Sequence, residues 1–496
     1  MQSPLIEPMH RRRFLDLSWR GVGAAMALAL VPGDDLFAAR LGTDPFTLGV
    51  ASGDPTPDGA VLWTRLAPDP LVGGGMPAKP VKVGWRVATD RRMRWVVESG
   101  VATAAPELAH SVHVEVGGLK PGRDYFYQFS CGAEESPIGH FRTAPTVMAR
   151  LGALDFAVVT CQKWNDGYYT VLRDVAAADL DAVFHCGDYL YEYSPLENRR
   201  GVRLDPERFS GETVTLARYR DQYALYKLDP DLQAAHAAHP FIVVWDDHED
   251  MPIRRRPKGP RNDLTIFRRL RYGDLASFVM LDDRQYRSPN PCGNGESGRC
   301  EAAFDPGVTM LGERQEAWFA DGMRKADTEW TFIVQQLLVA QLDHDPDRRE
   351  QRFWNDAWDG YPGARRRLLE TIRDAKAKNP VILTGDWHST FVNDIKLDFD
   401  SRYAPAMATE FVTPAITSGG DEEPYGPYYG PMIPYNQHIR YYDGDRRGHF
   451  RMKLTRNELT GELRFVNRVE VKDGKPYRAA RFTVESGSAG AHVDRV

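Results

Sequence analysis

The sequence predicts an α/β protein that carries a smaller all-β region on its N-terminal side. Between residues 44 and 144 the chain shows short strand-like runs separated by turn residues. Beyond Pro145, apolar strands alternate with helical segments. Three of those strands end in groups of Asp, His and Tyr, which is typical of buried strands that deliver polar side chains to one edge of a sheet.

The all-β region is predicted to cover residues 42–146. A turn signal rich in Gly, Asp and Pro at residues 53–59 precedes the first clear strand. The strand-like runs are residues 60–66, 81–87, 111–116 and 125–129. Short strands at this spacing indicate a β-sandwich of the immunoglobulin or fibronectin type. Because it shows no cluster of catalytic groups, we expect a structural role for it, packed on or shading the site.

The second region, residues 150–496, changes to an α/β pattern. Its predicted strands are residues 156–160, 182–185, 241–244, 331–334 and 381–383, and its predicted helices are residues 168–178, 313–324 and 365–378. Residues 449–484 again alternate like strands. This order predicts helices on both faces of a sheet, followed by C-terminal strands.

The first 39 residues are predicted to be an export signal. A basic run at residues 10–13 precedes a short Ala-rich apolar segment, and small residues follow at Ala38 and Ala39. Residues 11–15, Arg-Arg-Arg-Phe-Leu, match a twin-arginine signal, whose machinery would be a partner. An amphipathic first helix is the alternative. The signal predicts a periplasmic or secreted protein, and its apolar run is too short for a stable membrane span.

Composition narrows the possible partners. The chain has 496 residues, 27% of them charged, and a net charge of −6, so we expect no nucleic-acid complex. It has only five cysteines. Cys292 and Cys300 bracket a Gly-rich loop and are predicted to form a disulfide, whereas Cys131 and Cys186 are predicted to be buried thiols.

Three polar strand ends indicate a metal site. They are His185-Cys186-Gly187-Asp188-Tyr189-Leu190-Tyr191, Val243-Val244-Trp245-Asp246-Asp247-His248-Glu249 and Leu383-Thr384-Gly385-Asp386-Trp387-His388-Ser389-Thr390. One such group is compatible with a turn. Three on separate strands predict carboxylates and imidazoles that converge on metal ions, as in a metallohydrolase.

Asp188, Tyr191 and Cys161 are the candidates for the first metal. Gly187 lets the chain turn at the strand end, so that Asp188 can bridge two ions. Tyr191 could bind a trivalent iron as a phenolate. Cys161 precedes Asp188 by 27 residues, about one strand–helix–strand crossover, and could add a thiolate. A packed aromatic and a core thiol are the alternatives for Tyr191 and Cys161.

The other candidates follow the later strands. Asp386 and His388 have Asp-x-His spacing on a loop, so both can reach one dinuclear centre. Asp247 and His248 are adjacent and can share a site only if their strand has already ended. Asp247 is then a candidate ligand of the second metal, and His248 a candidate general acid for the leaving group. Asp246 is interpreted as a supporting carboxylate.

Taken together, these residues resemble the PhoD-like alkaline phosphatase/phospholipase D family. The motifs that carry the resemblance are Cys161-Gln162, Gly187-Asp188-x-x-Tyr191-Glu192, Trp245-Asp246-Asp247-His248-Glu249 and Gly385-Asp386-x-His388-Ser389, with Gly49–Pro55, Leu62–Arg65, Leu281–Arg287, Trp358–Pro362 and Glu410-Phe411 outside the site. The resemblance covers nearly the whole chain after the signal.

The resemblance implies a calcineurin-like metallophosphoesterase sandwich with an Fe(3+)–Ca(2+) site related to that of purple acid phosphatases. It also implies extracytoplasmic hydrolysis of phosphomonoesters, and often of phosphodiesters. It divides six side chains between the metals: Cys161, Tyr191 and His388 toward iron, Asp188 as the bridge, and Asp247 and Asp386 toward calcium.

One departure from the family concerns the segment after Glu249. Family members usually continue with an Asn pair and a longer stretch before Met-Pro-Ile-Arg, whereas Asp250 here leads directly into Met251. The second metal could therefore lack an oxygen ligand, for which Asp250, Asn262 or water could substitute, since calcium takes six to eight oxygens.

The preferred hypothesis is an alkaline phosphatase in which a metal-bound hydroxide attacks a phosphate ester directly. The alternatives are a phospholipase D or phosphodiesterase of the same fold, and a degenerate binder of metal or phosphate without turnover.

Overall fold

Two large mixed β-sheets form the centre of the molecule. The structure is a computed structural model that describes residues 43–248, 265–345, 347, 350–422 and 424–495. Its strands are β1 (Val50–Thr56), β2 (Gly59–Arg65), β3 (Val81–Ala88), β4 (Val96–Ala104), β5 (Ser111–Val116), β6 (Asp124–Cys131), β7 (Glu134–Glu135), β8 (Gly139–Arg142), β9 (Ala153–Val159), β10 (Ala182–Cys186), β11 (Pro240–Val244), β12 (Arg268–Tyr272), β13 (Ala276–Met280), β14 (Glu296–Ser297), β15 (Trp330–Val334), β16 (Phe353–Trp354), β17 (Pro380–Thr384), β18 (Thr390–Ile395), β19 (Ala408–Val412), β20 (Ile439–Asp443), β21 (Arg447–Thr455), β22 (Glu458–Val466), β23 (Pro476–Glu485) and β24 (His492–Arg495).

Helices are few and short by comparison. The α-helices are α1 (Thr170–Ala177), α2 (Pro206–Phe209), α3 (Leu216–Lys227), α4 (Pro230–Ala238), α5 (Gly312–Arg324), α6 (Pro362–Asp374) and α7 (Gly426–Tyr429). Single 3₁₀ turns cover Pro106–Leu108, Trp164–Asp166, Glu301–Phe304, Trp358–Gly360 and Gly430–Tyr435. The three helices expected from the sequence are confirmed as α1, α5 and α6, with ends that differ by a few residues.

The sheet order brings four strand ends together. The larger sheet runs β24-β23-β22-β21-β9-β10-β11-β1-β2-β5, in which β9, β10 and β11 are parallel. The second sheet runs β12-β13-β15-β17-β19-β18-β20, with β13, β15, β17 and β19 parallel. Parallel strands deliver their carboxyl ends to the same edge, and these two edges carry the site described below.

The core lies between the two sheets, and helices cover their outer faces. Phe156 and Phe184 of the larger sheet pack in one apolar cluster with Phe278 and Phe332 of the second. Alternate residues point the other way: Val159 belongs to the cluster under α1, α3 and α4. Helices α5 and α6 cover the second sheet in the same manner. The protein is thus a mixed α/β structure in which two sheets are sandwiched between helices.

The N-terminal region contributes to two sheets. Strands β3, β4, β6, β7 and β8 form a separate small sheet, whereas β1, β2 and β5 extend the larger sheet through the parallel pairing of β1 with β11. Side chains from both sheets, among them Val50, Leu62, Val83 and Tyr127, share one apolar cluster. The N-terminal β-sandwich stays a prediction.

The predictions for Cys131, Cys186, Cys292 and Cys300 are confirmed. Cys292 and Cys300 form a disulfide, and Cys131 and Cys186 are buried free thiols. Cys161 is also a buried free thiol, and its role as a metal ligand stays a prediction. The predicted signal lies outside the described residues. Among the residues that the structure describes, no helix has the length and apolar character needed to cross a membrane.

Lys227, the last residue of α3, is fully buried, and its ammonium group finds no hydrogen-bond partner in the described part of the chain. It lies 5.2 Å from the ring centre of Trp63. Burial lowers the pKa of Lys227 from 10.5 to about 7. The unfolded chain binds this proton more tightly than the folded protein does. Lys227 therefore lowers the free energy of unfolding by its full amount below about pH 7, and by less and less as the pH rises toward 10.5.

We therefore expect Lys227→Met to raise the free energy of unfolding by on the order of 4 kcal/mol at pH 6, and by roughly half as much at pH 9. Urea unfolding at the two pH values measures the effect. Lys325→Met is the control, because Lys325 is exposed. A variant that is less stable than the parent at pH 6 would contradict this prediction.

Candidate metal centre

Four loops at the sheet edge carry the candidate ligands. Cys161 follows β9, Asp188 follows β10, Asp247 follows β11 and Asp386 follows β17. The β9 and β10 loops lie side by side, because the backbone N–H of Cys161 donates to the carbonyl oxygen of Gly187 (3.1 Å). Strand β11 ends at Val244, which satisfies the condition for Asp247 and its neighbour to reach one site.

Four of these polar residues have a left-handed backbone. The φ angles are 55° at Cys161, 57° at Asp188, 61° at Asp386 and 53° at His388. Residues other than glycine seldom adopt this conformation, and they do so mostly where the surrounding structure needs a side chain in a particular direction. The left-handed conformation occurs at four positions where the carboxyl edges of the two sheets meet, which indicates that these loops are shaped to direct their side chains.

Two glycines make the turns possible. Gly187 has a φ of 105°, and a Cβ there would lie 2.6 Å from the Cβ of Asp246. A Cβ on Gly385 would lie 2.5 Å from the carbonyl oxygen of Cys186. Since neither contact is tolerable, each position needs glycine to let neighbouring loops approach.

The first ligand group consists of Cys161, Asp188 and His388, whose donor atoms lie within 4.8 Å of one another. Tyr191 completes it, because its hydroxyl donates to Asp188 Oδ2 (2.6 Å) and lies 3.1 Å from Nε2 of His388. Burial, and then the charge of Asp188, raises the pKa of both the Cys161 thiol and the Tyr191 phenol well above their usual ranges.

Asp188 itself is ionised. Burial opposes this, but hydrogen bonding to His388 and the positive charge of His248 outweigh it and lower the pKa of Asp188 to about 2. A bound metal would lower the pKa of the neighbouring Cys161 thiol and Tyr191 phenol, so that both could bind it in deprotonated form beside the Asp188 carboxylate.

The second group consists of Asp188, Asp247 and His248. Nδ1 of His248 is 2.6 Å from Oε2 of Glu192, and its Nε2 is 3.8 Å from Oδ1 of Asp247. Burial lowers the pKa of His248, but the hydrogen bond that His248 donates to Glu192 and the charge of Asp188 dominate and raise it to about 9. His248 is therefore an imidazolium at neutral pH.

The third group consists of Asp246, Asp247 and Asp386. Burial raises the pKa of Asp386 to about 6 and that of Asp246 well above its usual range, even though Arg284 opposes both shifts. Three carboxylates this close repel one another unless a cation lies among them. Such an all-oxygen set is what calcium prefers.

Arg284 was not predicted as a site residue. Its guanidinium contacts Asp246, Asp356 (2.5 Å), Asp386 (3.0 Å) and Asp247 (3.7 Å). It follows β13 in Leu281-Asp282-Asp283-Arg284, a fourth polar strand end that the same sequence signal could have identified. Asp356 follows the two-residue strand β16, which is too short to be recognised in the sequence as an apolar run with a polar end.

We expect Arg284→Met to lower the free energy of unfolding by about 3–5 kcal/mol in the presence of a chelator, because it leaves buried carboxylates without a counter-charge. Added calcium should restore part of the loss, since a bound cation would replace that charge. Thermal unfolding with and without calcium measures both effects. The control is Arg287→Met, because Arg287 shares with Arg284 the ion pair to Asp356 but not those to Asp246 and Asp386. An Arg284 variant as stable as the parent in chelator would contradict the prediction.

The structure brings together all seven residues proposed from the sequence, and their roles stay predictions. It also adds Ser418, whose hydroxyl lies 2.8 Å from that of Tyr191 and donates to the carbonyl oxygen of Cys161 (2.9 Å). Glu249, Asp250 and Asn262 lie outside the described residues.

The donors fit two cations. One group offers a thiol, a phenol, an imidazole and a carboxylate, which suits iron, and the other offers carboxylates, which suit a hard cation. The carboxylates of Asp188, Asp246, Asp247 and Asp386 outnumber the cationic groups of Arg284 and His248. Burial and the crowding of these carboxylates raise the pKa of Asp246 and Asp386, so bound cations would be needed to keep all four ionised, and this is the physical argument for bound metal.

Comparisons with known proteins identify the family of this chain. The profile of the PhoD-like phosphatase family matches residues 156–250 and 249–463, and that of the PhoD-like phosphatase N-terminal domain matches residues 31–145. Alkaline phosphatase D of Bacillus subtilis (strain 168) is 36% identical over 494 residues, which covers 92% of this chain and 84% of that protein.

A solved structure described as the structure of PhoD is 35% identical and superposes with a TM-score of 0.84. The match covers 91% of this chain and 92% of the other. The two stretches of the main family profile meet at residues 249–250, where the sequence lacks the segment noted above. With profiles that cover most of the chain and a curated relative at 36% identity, this chain belongs to the PhoD-like phosphatase family.

Proposed function

We propose that this protein is a metal-dependent alkaline phosphatase that hydrolyses phosphomonoesters and phosphodiesters. The observation that carries the proposal is the meeting of a Cys161–Asp188–His388 group with a carboxylate group around Asp386 where the carboxyl edges of the two sheets come together. The relative named alkaline phosphatase D and the matched structure support this reaction class.

Cys161, Tyr191 and His388 would hold Fe(3+), Asp247 and Asp386 would hold Ca(2+), and Asp188 would contribute to both sites. When bound, the two cations supply Lewis acidity that activates water and stabilises charge on the phosphoryl oxygens. Asp188 suits the bridging position because it belongs to two of the three ligand groups.

His248 is proposed to protonate the leaving oxygen. Its Nδ1 is engaged by Glu192, which fixes the ring and leaves the Nε2 proton for the substrate. Water attacks phosphorus, the ester P–O bond breaks, and the alcohol leaves with the proton from Nε2 of His248. The attacking water keeps one proton on the phosphate product and releases the other to solvent, from which His248 is reprotonated. Glu192 acts on His248 as a positioning residue.

The same proposal includes location and accessory structure. Export through the twin-arginine machinery to the periplasm or the exterior is supported by residues 11–15 and by the Cys292–Cys300 disulfide, which requires an oxidising compartment. An N-terminal β-sandwich is supported by the apolar cluster that the two sheets share.

A non-catalytic binder is the second candidate. The observation that favours it is the junction at residues 249–250, where an oxygen ligand of the second cation would be missing. Turnover measurements discriminate between the two.

The test is hydrolysis of p-nitrophenyl phosphate and bis-p-nitrophenyl phosphate by protein that is first stripped with a chelator and then given iron, calcium or both. The proposal predicts turnover of at least one ester that needs both ions. Iron and calcium binding without turnover of either ester would establish the binder.

A further inference from the structure

A cavity of about 640 Å³ opens beside the metal centre, between helix α3 and the N-terminal strands β2 and β5. Its volume lies within the range of small-molecule binding sites. Of the residues in the three ligand groups, only Asp247 and His248 line it, so the mechanism derived above leaves most of this space without a role.

One wall of the cavity is a single face of α3. Leu216, Tyr219, Arg220 and Tyr223 line it, at spacings of three, four and seven residues from the first. Side chains at these spacings stack along one side of a helix. Leu216 is exposed at the start of the helix. The wall thus presents one aliphatic and two aromatic side chains over two turns, with Arg220 among them.

The opposite wall comes from the N-terminal region. Trp63, Ala109, Ser111 and His113 line it. Arg65 joins the two walls, because its Nε donates to the carbonyl oxygen of Ala109 (3.0 Å) and its Nη1 to that of Arg220 (2.8 Å). These bonds fix the width of the cavity. The sequence predicted only a structural role for the N-terminal region.

Leu190, Glu192, Asp247 and His248 also line the cavity. His248 therefore belongs to both the metal centre and the cavity. Since the general acid must contact the leaving oxygen, the alcohol that leaves with this oxygen extends from His248 toward the cavity.

We propose that this cavity binds the alcohol portion of the ester and selects bulky, aromatic or largely apolar leaving groups. The inference rests on the proposed function and gives its substrate class. Tyr219 and Tyr223 supply the aromatic contact, and Ser111 on the facing strand sets the clearance. None of these three residues belongs to the ligand groups of the metal centre, so we assign them to specificity.

The test compares kcat/KM for phenyl phosphate and biphenyl-4-yl phosphate, whose leaving phenols have similar acidity. We expect the parent to prefer the biphenyl ester by about tenfold or more. Tyr219→Ala should lower kcat/KM for the biphenyl ester by about tenfold and for the phenyl ester by less than about threefold, because it removes apolar contact distant from the reacting atoms.

Ser111→Phe is the second variant. It narrows the cavity from β5, the edge strand of the larger sheet, where an aromatic side chain is well tolerated. The inference can therefore be tested even if Tyr219→Ala does not fold. It should reduce turnover of the biphenyl ester selectively. Tyr403→Ala, which changes an exposed tyrosine outside the cavity, should leave the ratio unchanged.

The outcomes separate this inference from the proposed function. Turnover of both esters with a ratio that neither cavity variant alters would overturn the inference alone. Failure to hydrolyse any ester, with both metals bound, would overturn the proposed function and this inference with it. A ratio that falls toward one in both cavity variants, with 4-phenylphenol inhibiting the parent more strongly than either variant, would support it.

Discussion

Asp188→Ala is expected to lower kcat/KM for p-nitrophenyl phosphate by about 10⁴-fold or more, and to remove most of the bound metal. The carboxylate belongs to two of the three ligand groups, so its loss affects both proposed cations at once. A reaction that depends on two ions for water activation and charge stabilisation loses most of its rate when their common ligand is absent.

The measurements are steady-state kinetics and metal analysis of the same sample. Asp181→Ala is a matched control, because Asp181 lies at the opposite end of β10, where it accepts from the backbone N–H of Asp155 (2.9 Å) and from Arg142 (2.7 Å). That variant should lose stability but keep its metal. An Asp188 variant with full metal content and near-normal turnover would show that the bridge has been assigned to the wrong residue.

His248→Gln is expected to lower kcat by about 10²- to 10³-fold for an alkyl phosphate and by less than about tenfold for p-nitrophenyl phosphate. The difference arises because an alkoxide needs a proton to leave, whereas p-nitrophenolate is stable without one. Metal content should change little, since Asp188 and Asp247, the other donors of its ligand group, remain.

The readout is the dependence of kcat on leaving-group acidity across a series of esters. The parent should show a shallow dependence and the His248 variant a steep one. His140→Gln serves as the control, because His140 lies on β8 and bonds to Asp124 and the carbonyl oxygen of Ala238. Equal losses for alkyl and aryl esters would contradict a role in protonating the leaving group.

Much of the site could be predicted from the sequence because its ligands follow buried strands. A run of β-branched and aromatic residues that ends in Gly187-Asp188 or Gly385-Asp386 is readable locally, since the strand, the turn glycine and the polar side chain are adjacent. The pairing of Cys161 with Asp188 followed from the length of one crossover. These inferences needed no knowledge of how the sheets pack.

Other features depended on contacts between distant segments. Arg284 reaches Asp246 and Asp386 only because the β13 loop of the second sheet faces the β11 loop of the first. Ser418 is 227 residues from Tyr191 in the chain, and a lone serine carries no periodic signal. The cavity could not be predicted either, because its walls come from β2, β5 and α3, which are distant in the sequence.

The continuity of the larger sheet also depended on long-range pairing. The turn residues between the early strands predict a self-contained β-sandwich, but β1 pairs with β11, and Ser52 lies opposite Pro240. Local patterning does not specify a parallel partner so far along the chain. This pairing positions β2 and β5 beside α3, and so creates the cavity next to His248.

The most direct test of the metal assignment is the visible absorption spectrum of the purified protein, recorded with its iron content, for the parent and Tyr191→Phe. We expect about one iron per chain, with a charge-transfer band from the phenolate and thiolate ligands that shifts or weakens when Tyr191 loses its oxygen. An active parent protein that contains no iron, or a band that Tyr191→Phe leaves unchanged, would contradict the assignment of the metal centre.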